Sequence, residues 1–160
     1  MESMLDLFAE AFDEPETYLG QRPGQEYLEQ LLGKDHFIAL AAVVDGTVVG
    51  GLCAYELPKF EQARSEIYIY DLAVAASRRR EGIATALIRE LQRIASERSA
   101  WVIFIQADRG DDPAIALYNK LGTREEVLHF DIPVRSNPSE TLNRPGKKFL
   151  AEALRHGGTF

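Results

Sequence analysis

The sequence predicts an α/β domain built on a mixed, mostly antiparallel sheet flanked by helices. Three observations carry this. Hydrophobic residues switch between a helical period and a strand period along the chain. Asp45-Gly46, a strong two-residue hairpin signal, separates two apolar, partly β-branched runs. After the hairpin, strand-like and helix-like segments alternate. A length of 160 residues with 46% hydrophobic and 27% charged content suits one globular domain.

The elements follow in order. Met4, Leu5, Phe8, Ala11 and Phe12 mark a first helix, and Tyr27, Leu28, Leu31 and Leu32 a second, stopped at Gly33. Phe37 to Val44 and Thr47 to Leu57 are the two arms of the hairpin. Ile67 to Val74 is a strand, and Arg78 to Gly82 a basic turn. The turn leads into a helix whose apolar face is Ile83, Ala84, Leu87, Ile88, Leu91 and Ile94, ending near Arg98. Trp101 to Ala107 reads as a buried strand, and Asp111-Asp112-Pro113 opens a short helix, Ala114 to Leu121, closed by Gly122. Glu126 to Ile132 reads as a last, short strand whose edge suits pairing with a second copy, so a homodimer is expected. Residues 1–132 form the predicted domain. Residues 133–160 are an extension with three prolines and one weak helical stripe, Phe149, Leu150, Ala153 and Leu154, expected to be partly helical or flexible.

The formal net charge of -7 argues against a nucleic-acid partner and favours a small cationic one. No apolar run approaches the ~20 residues that cross a bilayer, so no membrane partner is expected. The opening Met-Glu-Ser-Met-Leu-Asp lacks the layout of a secretory signal, which predicts a cytoplasmic location. Cys53 stands alone in an apolar stretch and reads as a small buried hydrophobe. His36, His129 and His156 lack ligand spacing, so no metal site is expected; His129 is of interest for its acidic neighbours.

The segment from Asp71 to Thr85 is the most informative for chemistry. A strand ends, a basic turn follows, and glycine stands at the start of a long helix. A helix start leaves N–H groups unbonded and carries partial positive charge, so a diphosphate can accept several hydrogen bonds there. Gly82 and Ala84 keep the backbone approachable, and Arg79 and Arg80 add charge, while Glu81 is expected to point to solvent. A solvated helix-entry turn is the plainer alternative. Neither a phosphate-binding loop of the G-x-x-x-x-G-K-[ST] type nor a dinucleotide G-x-G-x-x-G occurs.

Leu72-Ala-Val74 followed by Arg79-x-x-Gly82-x-Ala84 resembles the acetyl-CoA signature of the Gcn5-related N-acetyltransferase (GNAT) superfamily, and Ala114-Ile-Ala-Leu-Tyr118-Asn-Lys-Leu-Gly122 resembles its second signature. Phe37 to Ala42, Leu57 to Val74, Gln106-Ala-Asp108, Gly110 to Ala114 and His129 to Ile132 are similar to the aminoglycoside 3-N-acetyltransferases that modify gentamicin. The likeness spans roughly Leu5 to Ile132. It implies the GNAT fold, with acetyl-CoA as co-substrate, transfer to an aminoglycoside amine, and antibiotic resistance. The strand that this fold carries before its opening helix is absent, and the extension after Ile132 is additional.

The resemblance also implies roles. Cofactor contacts fall to Leu72, Ala73, Val74, Arg79, Arg80, Glu81, Gly82, Ile83, Ala84 and Thr85, with Leu72 to Val74 offering backbone groups to the pantetheine arm and the thioester oxygen. Asp71, read by alternation as sharing a face with Ile67 and Ile69, becomes the proton acceptor and ammonium anchor, the alternative being a structural carboxylate. Tyr118 becomes the proton donor to the departing thiolate, the alternative being a core tyrosine. Tyr70, Asp71, Asp108, Asp111, Asp112, Glu125 and Glu126 are the candidate acceptor-binding residues, set near Asp131 in an acidic stretch that suits a polycation. Other small amines, polyamines among them, and a non-catalytic acetyl-CoA sensor remain competing functions.

Overall fold

The computed structural model describes residues 1–132. They fall into two units, Met1–Thr123 and a second beginning at Arg124. The first unit contains helices α1 (Glu2–Phe12), α2 (Pro15–Leu19) and α3 (Gln25–Leu32), then strands β1 (Phe37–Val44), β2 (Thr47–Pro58) and β3 (Ser65–Val74). A 3₁₀ turn at Ala76–Arg78 leads to α4 (Ile83–Glu97), β4 (Ala100–Ile105) and α5 (Asp112–Leu121). The stripe at Phe149 to Leu154 and His156 lie outside the described residues.

The sheet has the order β1-β2-β3-β4. β1 and β2 pair antiparallel, as do β2 and β3, while β3 and β4 run parallel with α4 as the crossover. The mixed α/β architecture is therefore the expected one. The hairpin forms on Asp45 and Gly46, both at positive φ (50° and 75°), the backbone a two-residue turn requires for its twist to match the strands. Up to α5 the order gains one helix over expectation, α2, which Pro15 opens in its first turn.

Each sheet face buries its own core. On one side α4 lays Leu87, Ile88, Leu91 and Ala95 against Ile38, Leu52, Ala54, Ile67 and Ile69. Leu52, Ile67 and Leu91 lose all solvent contact there, each contributing about 1.5–3 kcal/mol by burial. On the other side α1 packs Met4 and Phe8 against Phe37, Cys53 and Ala73. Gly50 and Gly51 let both helices approach β2. A Cβ on Gly50 would lie 2.7 Å from Ile83 Cγ2 at the start of α4, and one on Gly51 3.1 Å from the Phe8 ring.

Two expectations are corrected. Glu126 to Ile132 is not a strand: Val127, Leu128, Phe130 and Ile132 are exposed and no ladder includes them. Strand propensity describes fitness for a pleated, half-buried surface, and without a partner strand alternation alone forms nothing. β4 is not buried throughout. Ile103 and Ile105 pack on the core, but β4 is an outer strand, and Trp101 is 69% exposed with the Arg64 guanidinium 4.5 Å over its ring.

Gly50→Val is expected to force α4 away from β2 and to destabilise the fold by about 1–3 kcal/mol, through overpacking against Ile83. Thermal denaturation checks this, with a Tm fall of roughly 2–4 °C per kcal/mol.

Candidate active site

β3 carries an irregularity that decides where its side chains point. Cys53 of β2 pairs with Asp71 and Ala54 with Ile69, which leaves Tyr70 as an extra residue, a β-bulge. Ile67 and Ile69 face α4, whereas Asp71 and its partner Cys53 face α1. The expectation that Asp71 shares the face of Ile67 and Ile69 is thereby corrected, because the bulge resets the two-residue period. The carboxylate lies instead beside α1 and α2, where the Tyr18 hydroxyl donates to Asp71 Oδ1 at 2.6 Å.

The electrostatics around Asp71 agree with that placement. Burial and then the neighbouring Asp71 charge push the Cys53 thiol up to about 12, so Cys53 stays a neutral hydrophobe as expected. Burial, followed by the hydrogen bond to Asp71, raises Tyr18 well above the usual phenol range. From Tyr70 an aromatic row crosses the same face. Its ring meets Tyr55 edge-on at 6.0 Å and Tyr68 at 5.7 Å, and Tyr68 stacks on Phe104 at 5.0 Å. Tyr70 is 52% exposed, which leaves part of its ring open to a ligand beside Asp71.

The second half of the site lies where β3 runs on beyond β4. The β3–β4 ladder ends with Ile69 opposite Ile105, so among the described residues no strand lies alongside the β4-side edge of Leu72 to Val74. After β3 the chain turns into α4 through Arg80 (φ 66°) and Gly82 (φ 84°), both left-handed. Gly82 is the N-cap, and no side chain caps the first turn. A Cβ on Gly82 would meet nothing within 4 Å, so the backbone there faces open space with its helix-start N–H groups available to an anion. Gly82 and Thr85 also line a concavity of about 490 Å³ with Ala86, Arg89, Glu90 and Arg93. Arg89 and Arg93 sit one and two turns along α4 from the predicted motif, where the short signature gave no signal.

The arginines of the turn are not equivalent. Arg78 pairs with Glu81 at 2.9 Å, and Arg79 Nε donates to the Val74 carbonyl at 3.3 Å, tying the turn to the end of β3. Glu81 is exposed, as expected, with its charge answered by Arg78.

α5 brings the third group. Asp111 is its N-cap, accepting from the Ala114 N–H at 3.2 Å, and Pro113 and Asp112 occupy its first turn. Tyr118 packs with Leu117 and Leu121 against the α4-side core, so the core-tyrosine reading holds in part. Its phenol is pushed up to about 12, first by burial and then by Asp111. Asp108 is exposed in the loop before α5. Glu125 and Glu126 fall in the second unit, where Glu126 pairs with Arg124 at 2.6 Å and His129 Nε2 lies 3.0 Å from Asp131 Oδ1. The predicted residues thus form three groups: Asp71 with Tyr70 on the α1 side, the β3 end with the α4 start, and Asp111 with Tyr118 on α5. Sequence reasoning missed Tyr18, which has no periodic partner, and Gly50, although a Gly-Gly pair inside a strand is a signal of close approach.

A family model described as "Acetyltransferase (GNAT) family" matches residues 1–123. The chain belongs to the GNAT family. It is an acetyltransferase, and enzymes of this family take the acetyl group from acetyl-CoA. An N-alpha-acetyltransferase of Saccharolobus solfataricus is 31% identical over 123 residues, covering 69% of this chain and 68% of that protein. The crystal structure of an aminoglycoside acetyltransferase from an uncultured soil metagenomic sample is similar at 63% identity and TM-score 0.82, over 84% of this chain and 90% of the other. A second soil metagenomic aminoglycoside acetyltransferase, solved with sisomicin, is 29% identical at TM-score 0.69, over 84% of this chain and 92% of the other.

The uncapped, left-handed start of α4 suits the diphosphate of acetyl-CoA. Gly82→Ala is expected to cost about 1–2 kcal/mol in backbone strain. It should also place a methyl group in the open space, weakening coenzyme A binding about tenfold by calorimetry, for a Tm loss of only a few degrees. Tyr118→Phe is expected to lower kcat on the order of 100-fold with the acetyl-CoA KM unchanged. Because a raised phenol keeps its proton until the pH nears that value, wild-type kcat should show no alkaline fall from Tyr118 between about pH 8 and 10 in stopped-time assays.

Proposed function

We propose that this acetyltransferase modifies an aminoglycoside, at the 3-amino group of a gentamicin-type deoxystreptamine ring, and so confers resistance. The observation that carries the reading is a carboxylate, Asp71, set beside a half-exposed aromatic ring in a fold that is 63% identical to an aminoglycoside acetyltransferase. The regiochemistry is supported by the sequence resemblance in runs from Phe37 to Ile132. The net charge of -7 favours a polycationic acceptor approaching the enzyme. In this reading the protein acts in the cytoplasm. A homodimer belongs to the same proposal, with the outer edge of β4 taking the place of the strand expected after residue 125.

The residues divide the work as follows. Acetyl-CoA supplies the activated acetyl thioester. Asp71 anchors the acceptor ammonium and takes its proton, directly or through water, so that the neutral nitrogen attacks the thioester carbonyl. The edge of Leu72 to Val74 holds the pantetheine arm and presents an N–H to the carbonyl oxygen. The α4 start, with Arg80, Gly82, Ile83, Ala84 and Thr85, holds the diphosphate. As the carbon–sulfur bond breaks, the Tyr118 hydroxyl gives its proton to the sulfur. The second proton of the attacking nitrogen leaves to water and water reprotonates the Tyr118 oxygen, the proton taken by Asp71 passes to solvent, and the products are the amide and free coenzyme A. Tyr70 and the acids Asp108, Asp111 and Asp112 serve the remaining ammonium groups.

A second reading has its own support. The curated relatives are N-alpha-acetyltransferases, which favours a peptide α-amine as acceptor. Coenzyme A release, followed with a thiol reagent and acetyl-CoA plus gentamicin, sisomicin, spermidine or an unblocked peptide, separates the readings. Rapid release with the aminoglycosides alone is expected, reduced on the order of 100-fold in Asp71→Asn. Preference for the peptide or spermidine would replace the substrate assignment, and acetyl-CoA binding without release for any amine would favour a sensor.

A further inference from the structure

α2 is five residues long, Pro15–Leu19, and carries no buried residue of its own. Its place is set by Tyr18, whose ring lies 5.8 Å from Phe8 and 5.8 Å from Phe12 of α1. Those two rings stack on each other at 5.8 Å, so α1 supplies a fixed aromatic bed. From that bed the Tyr18 hydroxyl reaches across 53 positions of sequence to Asp71 Oδ1. At 2.6 Å the bond is of the short, charge-assisted kind formed between a phenol and a carboxylate.

We infer that Tyr18 is a positioning residue for acetyl transfer, fixing the orientation in which Asp71 presents its carboxylate to the acceptor amine. The inference rests on the reading of Asp71 as the group that receives the amine. The terminal torsion of an aspartate is broad, so packing alone leaves the carboxylate plane poorly defined. A short hydrogen bond from a donor held on two other rings restricts it. Burial keeps the Tyr18 phenol protonated and hence a donor throughout the range in which amines are acetylated. Tyr18 therefore does not compete for the amine's proton. It holds the acceptor that takes it, and it makes the geometry of β3 depend on the α1–α2 arm.

The test uses the full-length enzyme and whichever amine gives turnover in the coenzyme A release assay, so the choice of amine and the role of Tyr18 are judged separately. Tyr18→Phe keeps the ring against Phe8 and Phe12 and removes only the hydroxyl, and its Tm should stay within a few degrees of wild type. It is expected to lower kcat about tenfold while leaving the acetyl-CoA KM unchanged. In an Asp71→Asn background the same substitution should cause no further loss, because residues that act as a unit are not additive. The inference is overturned if Tyr18→Phe retains wild-type kcat, or if it costs the same factor in both backgrounds. Full activity in Asp71→Asn would overturn it together with the role of Asp71.

Discussion

The bulge at Tyr70 is the constraint on which the site depends. Without it, period-two alternation would carry Asp71 to the α4 side, among Ile67, Ile69 and Leu91, where a carboxylate would meet only aliphatic side chains. One unpaired residue moves it to the α1 side, opposite Cys53, within reach of the Tyr18 hydroxyl. The same residue restores Leu72 to the α4-side core and Ala73 to the α1-side core, so both hydrophobic layers stay filled on either side of the irregularity. The bulge also falls one residue past the last rung shared with β4. Polar side chain and open backbone edge are thus generated at one position, which is where a substrate amine and a thioester would have to meet.

A second constraint acts at the start of α4. The helix must lie close enough to β2 to seal the core with Ile83 and Leu87, yet keep its first-turn N–H groups exposed. Gly50 meets the first demand, since any Cβ there would collide with Ile83. Gly82 meets the second, because its left-handed backbone turns the chain into the helix without a capping side chain. The basic turn is organised from within: Glu81 answers Arg78, and Arg79 is anchored on the Val74 carbonyl. A protein of net charge -7 has in this way gathered cations at one helix start, which the proposed function uses as an anion cradle.

What was legible in the sequence is what local chemistry decides. Asp45-Gly46 specifies its turn through the backbone of two residues, α4 announces itself through a single apolar face, and α5 through Asp111 and Pro113. The side of the sheet on which Asp71 lies was not legible. Register is a relation between two strands, and nothing within Ile67 to Val74 marks which residue lacks a partner. α2 was passed over for a related reason: it is short, and Tyr18 bonds a residue 53 positions away. Glu126 to Ile132 failed in the opposite direction, since its alternation is real but among the described residues no strand pairs with it. Sequence reasoning therefore found the residues of the candidate site more readily than the faces on which they stand.

The two half-buried tyrosines show why the faces matter. Tyr18 and Tyr118 are both raised by burial, and each has a carboxylate nearby that raises it further, Asp71 in one case and Asp111 in the other. Both phenols therefore remain donors, but to different ends. Tyr18 spends its proton in a standing hydrogen bond, so it can order Asp71 but has little to give a leaving group. Tyr118 has Asp111 as an electrostatic neighbour, and the Asp111 side chain accepts from the Ala114 N–H at the helix start. In the proposed reaction this separates the two proton movements: one carboxylate on the α1 side receives, one phenol on α5 gives. A single tyrosine placed between them could not do both, because the hydrogen bond that orients the base would hold back the proton the thiolate needs.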